Sequence, residues 1–392
     1  MQIGIIGLPN KGKSTLLNAM SSADAQVANY PFTTIQPNQG IGFASKECPH
    51  VRLNKKCHPN NAPCENGWRQ IPVNVLDVAG LVENAHEGKG MGNQFLADVA
   101  PADALVIVAD ASGSTDSEGH PCPEGRHDPV QDVEIVLKEV DYWLADVLKR
   151  NAKKVKGKPV NEFEGLLSGI KITGNHVKQA YKETELPEDG FAGHTDEEYL
   201  QLARALRKAG KPLVIAANKI DLPSAKANVA KLKTAFPEWT VIPVAADAEL
   251  ALKKAREKGW VEYDGKQLQI KQEGLDPRIV NALETFRKLI KEWGSTGVQR
   301  VVNECTFRLL NQMVVYPVED EVHYANHFGK VLPDAILLDQ GTTPTQLAEK
   351  IHTDLAKGLL YAVDAEKRMR IGKDSALHDG QIVKIVSAKG GK

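Results

Sequence analysis

The chain has 392 residues, more than a single hydrophobic core usually supports, so two or three domains are expected at roughly 150 residues each. Apolar residues make up 42% and charged residues 25%, ordinary globular values that exclude a disordered chain. With 49 basic against 50 acidic residues the formal net charge is -1, which excludes a global polybasic field and confines any nucleic-acid contact to a local patch.

The opening stretch lacks a basic n-region and runs straight into a glycine loop, so Gln2 to Ile6 reads as a buried strand and not as a secretion signal. Gly7-Leu8-Pro9-Asn10-Lys11-Gly12-Lys13-Ser14 follows and fits G-x-x-x-x-G-K-[ST], with an amphipathic helix expected over Thr15 to Met20. In such a loop the glycines let backbone N–H groups, here of Asn10, Lys11, Gly12, Lys13, Ser14 and Thr15, curl around phosphate oxygens at a helix N-terminus. Lys13 adds a charge that bridges β- and γ-phosphates, and the Ser14 hydroxyl can ligate Mg²⁺. Asn29 to Asn38 then offers a threonine able to complete Mg²⁺ coordination when triphosphate is bound, and Thr34 is the favoured one.

Cys48, His50, Cys57, His58 and Cys64 crowd into a polar, proline-rich insertion. The odd total of five cysteines reads as reduced thiols or a metal site. Three thiols with His50 could make a tetrahedral Zn²⁺ site; the other reading is incidental cysteines in a partly ordered loop. A strand at Val73 to Leu76 leads into Asp77-Val78-Ala79-Gly80. At this distance after the phosphate loop, Asp77 would hold a Mg²⁺ water and Gly80 would offer its N–H to the γ-phosphate, so that loss of that phosphate releases the following loop.

A buried strand at Ala104 to Ala109 precedes a loop in which His120, Cys122 and His127 form a second, looser cluster. Val133, Val136, Leu137, Val140, Leu144 and Leu148 recur with helical spacing, and a second helical segment spans Glu197 to Lys208. The pair reads as an α-hairpin inserted into an α/β domain. Lys149, Arg150, Lys153, Lys154, Lys156 and Lys158 crowd its tip, either as a solvated charged end or as a contact for RNA phosphates.

The strand Leu213 to Ala217 ends in Asn218-Lys219-Ile220-Asp221. One carboxylate, that of Asp221, can take both the N1 and the exocyclic N2 protons of guanine, a donor pair that adenine lacks. Asn218 would brace the loop and Lys219 would lie along the base plane. After the next strand, Val241 to Val244, the loop at Ala245 and Ala246 could present an N–H to the guanine O6. Alternation of short apolar runs and amphipathic segments across the first 130 residues and again from about 212 to 290 predicts a parallel sheet covered by helices. Beyond residue 300 the short runs Val314 to Tyr316, Ile336 to Leu338 and Ile382 to Val386 surround one helical segment, Pro344 to Leu355, a small α+β domain. No run of about 18 apolar residues is present to span a bilayer, and a soluble, cytoplasmic protein is expected.

The segments GLPNKGKSTLLNAM, NYPFTTIQPN, DVAGLVENAHEGKGMGNQFL, PVQDVEIVLKEV and LHDGQIVKIV resemble the Obg-related GTPases, and within them the YchF branch. The resemblance implies a GTPase domain over 1–130 and 210–300, a coiled-coil insertion over 131–209 and a ubiquitin-like TGS domain of β-grasp fold over 301–392. It implies GTP and GDP with Mg²⁺ as ligands, and a ribosomal or ribosomal-RNA partner rather than DNA or a membrane. Many members of that branch have a degenerate base-recognition motif and accept ATP, whereas Asn218-Lys219-Ile220-Asp221 is intact, which favours GTP. Leu81 stands where Ras-like GTPases carry the glutamine that positions the attacking water, so intrinsic hydrolysis should be slow. Asn10 occupies the position that helps bind K⁺ in GTPases with such an apolar replacement, and His86 is an alternative water-positioning group. Three functions compete: a regulatory GTPase acting on the ribosome, a slow nucleotide-gated interaction module, and an ATPase.

Overall fold

Three strands with apolar interiors anchor the first part of the chain: β1 (Gln2–Ile6), β5 (Ala104–Asp110) and β6 (Leu213–Asn218), the last two buried along their whole length. Strands of this kind have apolar residues on both faces because helices cover both, which is the situation of a parallel sheet. The computed structural model, which describes residues 1–21, 39–78, 81, 83, 99–155, 164–187 and 193–388, has that arrangement. With β2 (Gln39–Glu47), β4 (Trp68–Asp77) and β7 (Thr240–Pro243), the strands lie in the order β2-β4-β1-β5-β6-β7, and the two-residue β3 (Cys64–Glu65) pairs with β4. The β1–β4, β1–β5, β5–β6 and β6–β7 pairs are parallel. Their register sets Ile5 beside Asp77 and Asp110 beside Asn218, so the loops expected to carry chemistry all leave the same edge of the sheet.

Helices α1 (Lys13–Met20), α2 (Pro129–Val155), α3 (Gly174–Thr184), α4 (Asp196–Gly210), α5 (Ala225–Ala235), α6 (Ala246–Glu257) and α7 (Pro277–Trp293) surround this sheet, and β8 (Val261–Tyr263) pairs with β9 (Leu268–Ile270) as a hairpin. The helical insertion does not have a core of its own. Val136, Val140 and Leu144 of α2 and Leu202, Ala203 and Leu206 of α4 join the same cluster as Ile107 and Ile215 of the sheet. Between them Asp141 accepts from Arg207 at 2.6 Å, a buried pair linking α2 to α4. Of the basic tip, Lys149 pairs with Asp196 at 2.9 Å, while Lys156 and Lys158 and the side chain of Lys153 lie outside the described residues.

The chain divides into two units. Of the described residues, the first holds those within 1–42 and 73–305, and the second holds those within 43–72 and 306–388. The division differs from the expected boundary, because residues 43–72, from the middle of β2 to the middle of β4, fold with the C-terminal segment. Cys48, Ala62 and Ile71 share a core with Val314, Tyr316, Leu332 and Ile382. Asn61 exchanges two hydrogen bonds with the Ala335 backbone, and the Arg52 guanidinium forks onto Glu366.

The second unit's sheet runs β11 (Ile336–Asp339), β10 (Gln312–Val318), β14 (Ile382–Ser387), β12 (Leu359–Asp364) and β13 (Met369–Ile371), with β10 and β14 parallel and the other pairs antiparallel. The helix expected over Pro344 to Leu355 is broken in two, Pro344–Ile351 and Thr353–Lys357. His352 adopts an extended backbone, and its Nδ1 accepts the Asp354 N–H, which starts a new helix and ends the old one. No helix among the described residues is long and apolar enough to cross a membrane.

Candidate nucleotide-binding site

β1 delivers the chain into a loop whose backbone only glycine tolerates at two points. Gly7 has φ +151° and a Cβ there would lie 2.6 Å from the Val108 carbonyl oxygen; Gly12 has φ +95° and its Cβ would meet Asn218 Nδ2 at 2.2 Å. Asn10 is left-handed at φ 59°. The turn ends at α1, whose first turn contains no acid and whose N-cap, Gly12, has no side chain to cap it. The dipole and donors at that N-terminus therefore face the loop, a setting for an anion.

Lys13 is buried, and its Nζ donates to the Leu8 carbonyl at 2.8 Å. Desolvation lowers its pKa to about 8, opposed by the nearby Asp77 carboxylate. Ser14 Oγ donates to Asp77 Oδ2 at 2.6 Å, which brings together two of the oxygens expected around Mg²⁺. The other carboxylate oxygen, Asp77 Oδ1, is buried and has no hydrogen-bond partner among the described residues. An orphaned carboxylate oxygen beside a serine hydroxyl is a set that a hard divalent cation fits.

The base-recognition loop is joined directly to the phosphate loop. Asn218 Nδ2 donates to the Lys11 carbonyl at 3.0 Å, and Asn218 Oδ1 accepts the Ala246 N–H at 3.2 Å, so one buried side chain connects three loops. Lys219, left-handed at φ 64°, is held by Asp110 at 2.8 Å. Burial opposes ionisation of Asp110, but hydrogen bonds from Lys219, Ser112 and Thr115 hold its carboxyl below the usual carboxylate range. Asp221 is exposed at the mouth of this loop; desolvation, then the neighbouring Asp247 carboxylate, push its carboxyl up.

Lys11, of which only the backbone N–H was expected to serve the site, has its side chain turned away from the phosphate face. It is fully buried, 2.9 Å from Asp132 Oδ2 and donating to the Thr115 carbonyl at 2.9 Å, because the loop after β5 folds over it; only its backbone faces a ligand. The Ala246 N–H, expected to face guanine O6, is taken by Asn218, and the Ala245 N–H donates to Thr296 at 2.9 Å. Thr34, Gly80 and His86 lie outside the described residues. Leu81 is buried in the core and cannot meet a water. His120, Cys122 and His127 do not converge: His127 bonds Asp132 at 2.6 Å and Cys122 bonds the Gly113 carbonyl. Asn10 Nδ2 donates to the Gly119 carbonyl at 2.9 Å, leaving its amide oxygen as the atom a cation could use.

Sequence reasoning missed Asp110, Asp132 and the Thr296–Gly297 turn. Gly297 has φ +82°, and a Cβ would lie 1.9 Å from the Pro243 carbonyl oxygen, so the turn packs directly under the loop after β7. Tyr263 and Thr296 both donate to the buried Glu249 carboxylate at 2.6 and 2.5 Å. Asp110 had a signal, since it ends an apolar strand as Asn218 does. Gly297 had none within its own neighbourhood.

A strand–phosphate loop–helix unit, a carboxylate at the metal position and a base-reading loop on one sheet edge define a P-loop nucleotide-binding protein of the GTPase class. Residues 2–155 match the family described as 50S ribosome-binding GTPase, 216–320 an Obg-like GTPase YGR210-like, G4 motif-containing domain, and 329–387 a TGS domain. An uncharacterized GTP-binding protein of Methanocaldococcus jannaschii is 44% identical, covering 98% of this chain and 99% of that one. The ribosome-binding ATPase YchF of Bacillus subtilis is 34% identical over 70% of this chain and 73% of its own length. The crystal structure of a GTP-binding protein from Pyrococcus horikoshii is similar with a TM-score of 0.75 at 36% identity, over 99% of this chain and 100% of that one. The chain belongs to the Obg-like GTPase family, in its YchF branch.

Proposed function

We propose that the protein binds GTP and hydrolyses it to GDP and phosphate, and that its nucleotide state governs docking to the ribosome in the cytoplasm. The observation that carries the nucleotide reading is the Asn218 bridge, which sets the phosphate loop and the Asp221 loop at a fixed spacing. Backbone N–H groups of the phosphate loop hold the β-phosphate, and Lys13 turns from the Leu8 carbonyl to the β- and γ-phosphates, gaining a full charge partner in place of a dipole. Ser14 and Asp77, with Thr34, would hold Mg²⁺, which when bound neutralises charge developing on the phosphates. Asn10, whose amide oxygen is left over by the hydrogen bond from its Nδ2 to the Gly119 carbonyl, would help hold a K⁺ that adds positive charge at the phosphates.

The attacking water receives no help from Leu81, which supports a slow intrinsic rate and keeps alive a second reading, a nucleotide-gated interaction module. The ribosomal partner is supported by the descriptions of the matched family and of the Bacillus subtilis relative, and by the basic residues at the α2 end. Multiple-turnover hydrolysis in K⁺ or Na⁺, with and without ribosomes, tests this account. Faster turnover in K⁺ and with ribosomes is expected. A rate equal in the two cations removes the Asn10 assignment, and identical sedimentation with ribosomes in the GTP-analogue and GDP states removes nucleotide-gated docking.

A further inference from the structure

We propose that Cys48, His50, Cys57 and Cys64 bind one zinc ion, a structural centre that holds residues 48–67 within the second unit. The four residues come from separate local structures. Cys48 follows β2 and donates its N–H to the Gly67 carbonyl at 2.8 Å; His50 sits in the turn that closes with Val51 N–H on the Cys48 carbonyl. Cys57 lies in an extended stretch fixed where His58 N–H meets the Val331 carbonyl at 2.8 Å. Cys64 stands on β3, next to the two-residue Asn66–Gly67 turn, with φ of 49° and 86°, that returns the chain into β4.

Chain pairing alone gives no reason for their polar atoms to converge, yet all four ligand atoms lie within 4.8 Å of one another, the only such His/Cys/Asp/Glu group among the described residues. A tetrahedral centre with zinc–sulfur bonds of about 2.3 Å and zinc–nitrogen bonds of about 2.0 Å spaces its ligand atoms about 3.5–3.8 Å apart. His50 Nδ1 and Cys64 Sγ already stand 3.6 Å apart. No disulfide joins the thiols, and a set of three thiolates and one imidazole suits zinc over magnesium or calcium.

The segment also needs a staple. From 48 to 63 it has turns but no helix or strand, and from Val51 to Asn60 every residue is exposed or half-buried. Its apolar anchors are few, Cys48 and Ala62 near its ends and half-buried Leu53 between them, so burial alone holds it weakly. Binding would release three protons, one from each thiol, and leave the centre with a net charge of -1. Arg69, directly across the β3–β4 hairpin from Cys64, is fully buried, and its Nε and Nη1 have no partner among the described residues. A buried guanidinium with unused donors beside the cluster is what an anionic centre would satisfy.

The full chain, purified without chelator, is assayed for metal by elemental analysis, then stripped under reducing conditions and reloaded with Co²⁺. About one zinc per chain is expected, together with a tetrahedral cobalt spectrum carrying thiolate charge-transfer bands; Cys57→Ser and Cys64→Ser lose the stoichiometric metal, and Cys122→Ser keeps it. The cobalt spectrum of the unsubstituted chain needs no variant to fold. Absence of zinc before and after reconstitution, an octahedral cobalt spectrum, or a disulfide among the three cysteines in the purified protein overturns the proposal.

Discussion

Asn218 Nδ2 meets the Lys11 carbonyl at 3.0 Å, and it can do so only because Gly12 has no Cβ; one added there would stand 2.2 Å from that nitrogen. The base-reading loop and the phosphate loop are thus one rigid part, although 207 positions separate the bonded residues.

Gly12→Ala is expected to break this part. The substituted residue meets both an unfavourable φ of +95° and the Asn218 side chain, together costing on the order of 1–3 kcal/mol at the site. GTP and GDP affinity should fall by about 10–100-fold, measured by displacement of a fluorescent guanine nucleotide. Unchanged affinity would show that the two loops act independently.

Asp132→Ala should destabilise the first unit by about 3–5 kcal/mol, because it leaves the fully buried Lys11 ammonium without its anion. The double variant Lys11→Met with Asp132→Ala removes both charges and should recover most of the loss. Denaturant unfolding of the three variants checks this, and additive losses in the double variant would contradict it.

Much of the site was legible because its residues are local in sequence. The phosphate loop, Asp77 and the base-reading loop each occupy a few consecutive positions at the end of an apolar strand, so spacing alone placed them. What could not be read depends on contacts distant in the chain. Asn218 takes the Ala246 N–H, and Gly297 presses on Pro243, through packing that no short pattern encodes. β2 was hidden by Gly40 and Gly42, which have weak strand propensity but sit where Ser21 and Val75 leave no room for a side chain. The affiliation of 43–72 with the C-terminal unit was hidden because its link combines hydrogen bonds of Arg52, Asn61 and Arg69 with a few scattered apolar residues, Cys48, Ala62 and Ile71, that form no periodic pattern.

Gly297→Ala should act through the loop after β7. A Cβ 1.9 Å from the Pro243 carbonyl oxygen, at φ +82°, forces that loop away and should cost at least about 2 kcal/mol of stability. Nucleotide affinity should drop with it, whereas Gly294→Ala, at a similar φ but with open space around it, should cost only the backbone strain. Thermal unfolding with and without GDP distinguishes them; equal effects of the two variants would contradict the packing account.

Lys211 gives a pH signature. It is fully buried, donates to the Ala100 carbonyl at 2.8 Å and also to Ala102, and desolvation lowers its pKa to about 8. Between about 8 and the ordinary 10.5 the unfolded chain binds the proton more tightly than the folded one, so this residue's contribution makes stability rise with pH in that window, by up to roughly 3 kcal/mol. The difference in unfolding free energy between the parent protein and Lys211→Met, followed from pH 7 to 10.5, should grow by that amount; a flat difference would show that the ammonium is not desolvated.

The most direct test of the nucleotide reading is competition of GTP and ATP against a fluorescent guanine nucleotide, in Mg²⁺ and K⁺ buffer, for the parent protein and Asp221→Ala. The account predicts that GTP outcompetes ATP by at least about 100-fold and that the substitution abolishes this preference while leaving ATP binding nearly unchanged. Equal or tighter ATP binding by the parent protein would contradict it and make the chain an ATP-using member of its family.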